Sequence, residues 1–506
     1  MPSPARRRGI GGLVTVPAVI TATLLLTSAP ASAGVPLTEI GADPYANATS
    51  QHGTQAGPDT YAWGTTIVTA QQTGRFFDGG ASGIAFATSS DAGVTWDRGV
   101  LPGITTFGGG PHPRASDPSV AFDARHGVWL ISSLALTTAA DAAGADGAAG
   151  ASGAAASDAS GASGAAEGSG VTGAAALVSR SADGGLTWGG PVTAAAADGG
   201  DLDKPWIVCD NAPAGRFHGR CYLVFDDHAA DNAIKVARSS DGGLTWTVAG
   251  TSATGLGGQP VVRPDGTVVV PYLSNDNQIR ALRSRDGGVT WSPSVLVSEV
   301  HRRTVPGGLR AAPLPSAETD ATGTVYVAWH DCRFQPGCAG NDIVLGKSAD
   351  GASWGHVLRV TNDGGDHFVP GLGVDRVTSG GTARLALAYY RYPDAECRGA
   401  ACRLTVAYTS STNGGATWAA PAELRGPMAP AWLADTPGGR LAGDYISTSV
   451  IPGGNAFAAF TAASAPSGGA LDVRTYTVAG GSPIEGGGPA PIAIEAPTAT
   501  GETLPT

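Results

Sequence analysis

The sequence predicts an all-β protein, a β-propeller of four-stranded blades, and three observations carry that expectation. Composition is the first: of 506 residues 42% are hydrophobic and only 14% charged, with 76 Gly and 35 Pro, which suits a large sheet protein with many turns. The second is an eight-residue pattern that recurs along the chain. SSDAGVTW begins at Ser89, SADGGLTW at Ser181, SSDGGLTW at Ser239 and SRDGGVTW at Ser284. A shortened SADGASW follows at Ser348 and STNGGATW at Ser411, where Asn413 stands in place of the aspartate. The third is what precedes the copies: an alternating strand such as NAIKVARS or NQIRALRS, a strand such as GTVVVPYL or GTVYVAWH, and a Pro-headed strand as in DPSVAFD or DKPWIVCD.

Each unit thus reads strand, turn, strand, loop, strand, repeat, strand, with the repeat between the third and fourth strands. Radial repetition of such units makes a propeller. A first unit runs from about Asp59 to Gly103, five more carry the later copies, and a seventh without the repeat starts at LAGDYISTSV. Seven blades are favoured, with six as the alternative. The last unit lacks a fourth strand, and Val35 to Ile40 can supply it, which closes the ring with both chain ends in one blade.

The flanks read differently. Arg6, Arg7 and Arg8 precede an apolar run from Leu13 to Leu26 and a small-residue Ala31-Ser32-Ala33, a secretory signal spanning residues 1–33. Its removal takes the formal charge from −11 to −14. The propeller occupies 34–480, a loop of Ala, Gly, Ser and Asp at 139–170 interrupts the second unit, and 481–506 is a Pro/Gly-rich tail expected to be disordered. The acidic balance excludes nucleic acid and anionic membrane surfaces as natural partners. An exported, soluble monomer is expected. Six cysteines in such a chain pair more readily than they catalyse, and spacing suggests Cys209 with Cys221, Cys332 with Cys338, and Cys397 with Cys402.

The repeat itself has two readings. Asp91, Asp183, Asp241, Asp286, Asp350 and Asn413 can each accept backbone N–H groups in a tight turn while the following glycines take positive φ. A Ca²⁺ loop would gather six to eight oxygens, and each copy offers one carboxylate at most. The turn is therefore structural, and function is expected on the opposite face, among the loops joining second and third strands. No metal or cofactor is expected. Asp226, Asp227, His228 and Asp231 could hold a cation, although solvated loop charge is the better account of them.

Repeated S-x-D-x-G-x-T-W turns on a propeller resemble the Asp-box, or BNR, repeats of sialidases and their relatives, over about Asp59 to Ala479. That resemblance implies a retaining exoglycosidase without a cofactor, with an arginine triad for the substrate carboxylate, a Tyr nucleophile assisted by a Glu, and an Asp acid/base. By position Asp78 matches the acid/base, Tyr445 the nucleophile and Glu318 its partner. Arg75, Arg333 and Arg391 are the arginine candidates. An ordinary loop containing an Arg–Asp pair would account equally for GRFFDGGAS. The family's Arg-Ile-Pro is absent. Two functions follow: hydrolysis of terminal sialic-acid-like residues from glycoconjugates, or non-catalytic binding of a glycan or cell wall by the same scaffold.

Overall fold

The structure, a computed structural model, describes residues 1, 2, 4, 35–138 and 170–486. Chain contacts separate Met1–Gly34 from Val35–Thr506, and the architecture below is that of the second unit. Nearly all of the expected signal segment and of the 139–170 loop, and most of the tail, lie outside the described residues.

The regular elements of the described chain are antiparallel strands and short 3-10 turns joined by loops, the all-β propeller that the repeats predict. Grouped by their ladders, the strands fall into seven sets of four. The first set is Gln51–Trp63, Thr66–Arg75, Ala81–Ser89 and Asp97–Val100; the second is Arg114–Asp123, Val128–Thr138, Val171–Ser181 and Val192–Ala196. Two pairs of sets are joined at their edges, by Ala81 opposite Ala115 and by Gly255 and Leu256 opposite Ser274 and Leu273, so that the sheets number five. The 139–170 insertion leaves from Thr138 and returns at Val171, residues that face each other across the second set.

Burial explains the strand patterns. The second strands Cys221–Asp227, Val268–Ser274 and Val325–Asp331 are buried along their whole length, because a neighbouring sheet covers each face. Outer strands such as Thr247–Leu256 begin exposed and alternate. The first strands of successive sets pack side by side, and the last returns to the first. They surround a central channel.

Four of those first strands share a device. Each ladder slips just before a proline, at Gly57-Pro58, Asp117-Pro118, Lys204-Pro205 and Val369-Pro370. In all four the residue before proline is left-handed, with φ of 57°, 45°, 52° and 52°. Proline normally pushes its predecessor into extended backbone, so a non-glycine residue is strained there and persists only because the surrounding sheet fixes it.

First and third strands run the same way. The repeat turns that follow the third strands therefore sit at the C-terminal ends of the first strands, and loops between second and third strands sit at their N-terminal ends. Each end of the channel opens into a cavity. One at the N-terminal ends, about 490 Å³, is lined by Asp78, Asp117, Lys204 and Asp444. The other, about 650 Å³ and mainly apolar, is lined by Tyr61, Trp206, Val262 and Glu318.

All six cysteines are paired as their spacing suggests, Cys209–Cys221, Cys332–Cys338 and Cys397–Cys402. Three disulfides point to an oxidising, extracellular environment. No described helix is long and apolar enough to cross a membrane.

Candidate active site

The larger cavity is apolar, but charge gathers at the smaller one, and the chemistry is sought there. Arg75 closes the second strand of the first set with 4% of its surface exposed, and its Nη1 donates to Gln72. Burial first, then the neighbouring guanidinium of Arg310, lowers its pKa to about 10. Asp78 lies in the loop that follows. Its partner is Arg114 rather than Arg75: the Arg114 Nη1 donates to Asp78 and to the Gly79 carbonyl, while its guanidinium stacks 4.2 Å above Phe76.

The centre of the cluster is Lys204, placed by its strained bulge. Its ammonium is 2.9 Å from Asp444 Oδ2 and 3.3 Å from Asp203 Oδ2, and Arg310 donates to the same Asp444 oxygen at 2.6 Å. Burial alone would depress Lys204, but Asp117, Asp203 and Asp444 together hold its pKa above the ordinary lysine range. Asp444 is pulled the other way: against burial, Arg310 and Lys204 keep it far below the usual carboxylate range. Asp117 is raised, because burial and the charges of Asp203 and Asp444 outweigh Lys204. Two carboxyls in one cavity thus hold their protons with opposite tenacity.

Tyr445 is buried directly behind this cluster. Its hydroxyl donates to the Pro118 carbonyl at 2.8 Å and its ring meets Trp206 edge-on, centroids 4.9 Å apart. Burial, then Asp117 and Asp59, push its pKa far up. Asp59, also within the channel, accepts from the Val120 N–H at 2.7 Å and is raised by burial to about 7.

The structure does not bring Glu318 to Tyr445. Glu318 faces the apolar cavity at the opposite mouth, where Arg376 grips both its oxygens at 3.2 and 3.0 Å and stacks 4.2 Å over Tyr61. Arg333 is occupied by Asp331 at 2.9 and 2.7 Å, by Ser298 at 2.9 Å and by the Glu299 carbonyl. Arg391 is bound by Asp363. Neither arginine lines the polar cavity. Of the six catalytic and substrate-binding residues expected from sequence, Arg75 and Asp78 line the polar cavity, and Tyr445 is buried behind it, bonded to the residue that follows Asp117.

The loop charges divide as well. Asp227 faces away, accepting from Asp201 N at 2.9 Å and from Lys235 at 2.7 Å. Asp226 and His228 turn inward to join Asp203, with ligand-type atoms all within 4.8 Å of one another. Asp231 lines the same cavity.

In the repeats, each carboxylate is consumed locally. Asp241 Oδ1 accepts from the Leu244 and Thr245 N–H groups at 3.0 Å each and from Ser239 Oγ at 2.8 Å, and Oδ2 accepts from Thr245 Oγ1 at 2.6 Å. The Thr95 hydroxyl, then its N–H, lowers Asp91 to about 2 in the first copy. Both oxygens of the carboxylate are thus engaged within the turn.

Lys204, Asp117, Asp444, Arg310 and Arg114 escaped the sequence reading. A signal existed for two of them: where Gly57 and Val369 precede the bulge prolines, these strands carry charge, as D-P and K-P.

No protein-family profile matches the chain, and no curated protein matches it. Among solved structures it is similar to a protein of unknown function from Dyadobacter fermentans, at 17% identity and a TM-score of 0.46 over 75% of this chain and 98% of that one. It is similar also to the intramolecular trans-sialidase of Ruminococcus gnavus, at 14% identity and a TM-score of 0.45 over 73% and 97% of the two chains. A third is the sialidase of Trypanosoma rangeli, at 13% identity and a TM-score of 0.42 over 70% and 56%.

Proposed function

We propose that the chain is an exported glycoside hydrolase of sialidase type that cleaves a terminal acidic sugar at the polar mouth of its channel. One observation carries the reading: Asp117, whose proton affinity is raised, and Asp444, held ionised, share a cavity with Arg75, Lys204 and Arg310. Carboxyls whose environments push them apart are what glycoside cleavage needs, one to donate a proton to the leaving oxygen and one to face the positive charge that develops at the anomeric carbon. Asp117 is the proton donor in this proposal, with Asp78 at the cavity edge as the second candidate. Arg75 and Arg310 hold the sugar carboxylate, for which charge-assisted contacts are the strongest available.

A second reading, non-catalytic glycan binding by an Asp-box propeller, is favoured by Tyr445, whose hydroxyl is engaged by the Pro118 carbonyl with no carboxylate hydrogen-bonded to it among the described residues. The test is release of fluorophore from a panel of fluorogenic sialosides, run beside a glycan array. The expected result is turnover that falls roughly 10²- to 10⁴-fold in Asp117→Asn, the span associated with loss of a general acid. Saturable binding without release would establish the second reading.

A further inference from the structure

We propose that Asp203, Asp226 and His228 form a binding site for one divalent cation of the Zn²⁺ or Mn²⁺ kind, beyond the glycan-cleaving role of the cavity it borders. The starting point is register. Asp203 and Asp226 are direct cross-strand partners on adjacent strands, both buried, and like charges placed opposite each other in a ladder destabilise it.

A proton on His228 accounts for only half of this. His228 Nε2 is 3.1 Å from Asp226 Oδ2 and 3.4 Å from Asp203 Oδ2, but it carries a single N–H for two carboxylates. Asp203 has Lys204 beside it at 3.3 Å. Asp226, only 1% exposed, has His228 Nε2 as its sole close cationic neighbour among the described residues, and the approach is too poorly aligned to count as a hydrogen bond to either of its oxygens. A buried acceptor without a donor is costly, and a cation relieves it where one imidazole proton does not.

The spacing suits an ion. Ligands at about 2.0–2.1 Å from a small divalent cation in tetrahedral or octahedral arrangement stand roughly 3.0–3.4 Å apart, which brackets the two distances from His228 Nε2. One nitrogen with two carboxylates is the donor set of borderline cations, whereas Ca²⁺ demands six or more oxygens. The other ring nitrogen, Nδ1, lies 3.9 Å from Asp201 Oδ2, on the side where a metal-bound histidine places its orienting carboxylate. Water from the cavity completes the coordination.

The experiment is equilibrium dialysis of the chelator-stripped full chain against ZnCl₂ and against MnCl₂, with bound metal measured by elemental analysis, and visible absorption of the Co²⁺-loaded protein. One ion per chain is expected, with Co²⁺ bands that Asp226→Asn and His228→Gln abolish while affinity falls at least about tenfold. Asp231→Asn, in the same cavity but outside the triad, leaves both readouts unchanged. Should D226N fail to fold by circular dichroism, H228Q decides alone, since His228 is partly exposed. No stoichiometric binding, or binding indifferent to both substitutions, overturns the proposal.

Discussion

Lys204 and Asp59 show how strongly single residues are constrained by the channel. Lys204 sits in a left-handed bulge before a proline, a conformation lysine adopts at a cost of order 1–3 kcal/mol, and the surrounding carboxylates are what hold the ammonium there. Sequence could place Arg75 and Asp78, because they lie in a loop whose position follows from counting strands. It could not gather Asp117 and Lys204, from the first strands of the second and third sets, with Arg310 and Asp444, from the connections ahead of the fifth and seventh sets; the four meet only when the ring closes. Asp59 offers a test by pH. Burial holds its carboxyl at about 7, up from 3.8, so the folded protein keeps a proton that the unfolded chain releases. Stability from this group is therefore full at the acid end and declines as pH rises from about 4 to 7, after which it is level. Replacing Asp59 with Asn preserves an acceptor for Val120 N–H and removes the titration. The melting temperature of D59N relative to wild type is expected to rise by a few degrees between pH 5 and pH 8 by differential scanning calorimetry. Parallel curves for the two proteins would refute the assignment.

The repeat turn is the element most legible in the sequence, since every residue in it acts within eight positions. The glycines after the aspartate are left-handed at φ 73° and 81° in the third copy, and a Cβ on Gly243 would stand 3.1 Å from Leu130 of the neighbouring set. Trp246 hydrogen-bonds back to the Gly243 carbonyl at 3.1 Å and packs on that same neighbour's core. The turn thus fastens one set to the one before it. Its natural variant explains which property matters: Asn413 uses Oδ1 for Ser411 Oγ and Thr417 N, and Nδ2 for Thr417 Oγ1, so the pattern survives without charge. Asp241→Ala strands two backbone N–H groups and two hydroxyls and is expected to cost about 1–3 kcal/mol in urea unfolding. D241N should cost clearly less. Equal losses would mean that charge, rather than acceptor geometry, holds the turn. The misplacement of Glu318 belongs to this scale too: it stands with Ala317 and Thr319 of the short first strand Ser316–Thr319 at the apolar cavity, while on the first strand Leu202–Cys209 Lys204 lines the polar cavity and Trp206 the apolar one. Two or three positions along the chain decide the face, a finer interval than strand boundaries read from sequence can supply.

At the scale of the whole molecule, the closure of the ring decides whether any of these sites exists, because the polar mouth is assembled from first strands that touch only around a complete circle. The seventh set contains Ser447–Val450, Ala456–Ser467 and Ala470–Val478, and its fourth strand is Leu37–Glu39 from the other end of the chain, paired with Val478, Thr477 and Tyr476. Its edge is reinforced by Arg474, which grips both oxygens of Glu39 at 3.0 Å, and by the Ile40 N–H bonded to the Thr475 carbonyl at 2.9 Å. Ile40 itself is fully buried against Ala87 of the first set and Ala459 of the last, so this short strand touches both sides of the seam. Removing residues 34–40 leaves the edge of Ala470–Val478 unpaired and opens a cavity at that junction. The truncated chain is expected to melt several degrees lower, and Ile40→Ala alone should destabilise by about 2–5 kcal/mol, the cost of deleting a large buried aliphatic side chain. Arg474→Ala should do far less, since an exposed ion pair contributes about 0–1 kcal/mol. The ordering of these three variants by calorimetry separates closure by packing from closure by charge, and an unchanged melting temperature in the truncated chain would show that the ring is sealed without its first strand.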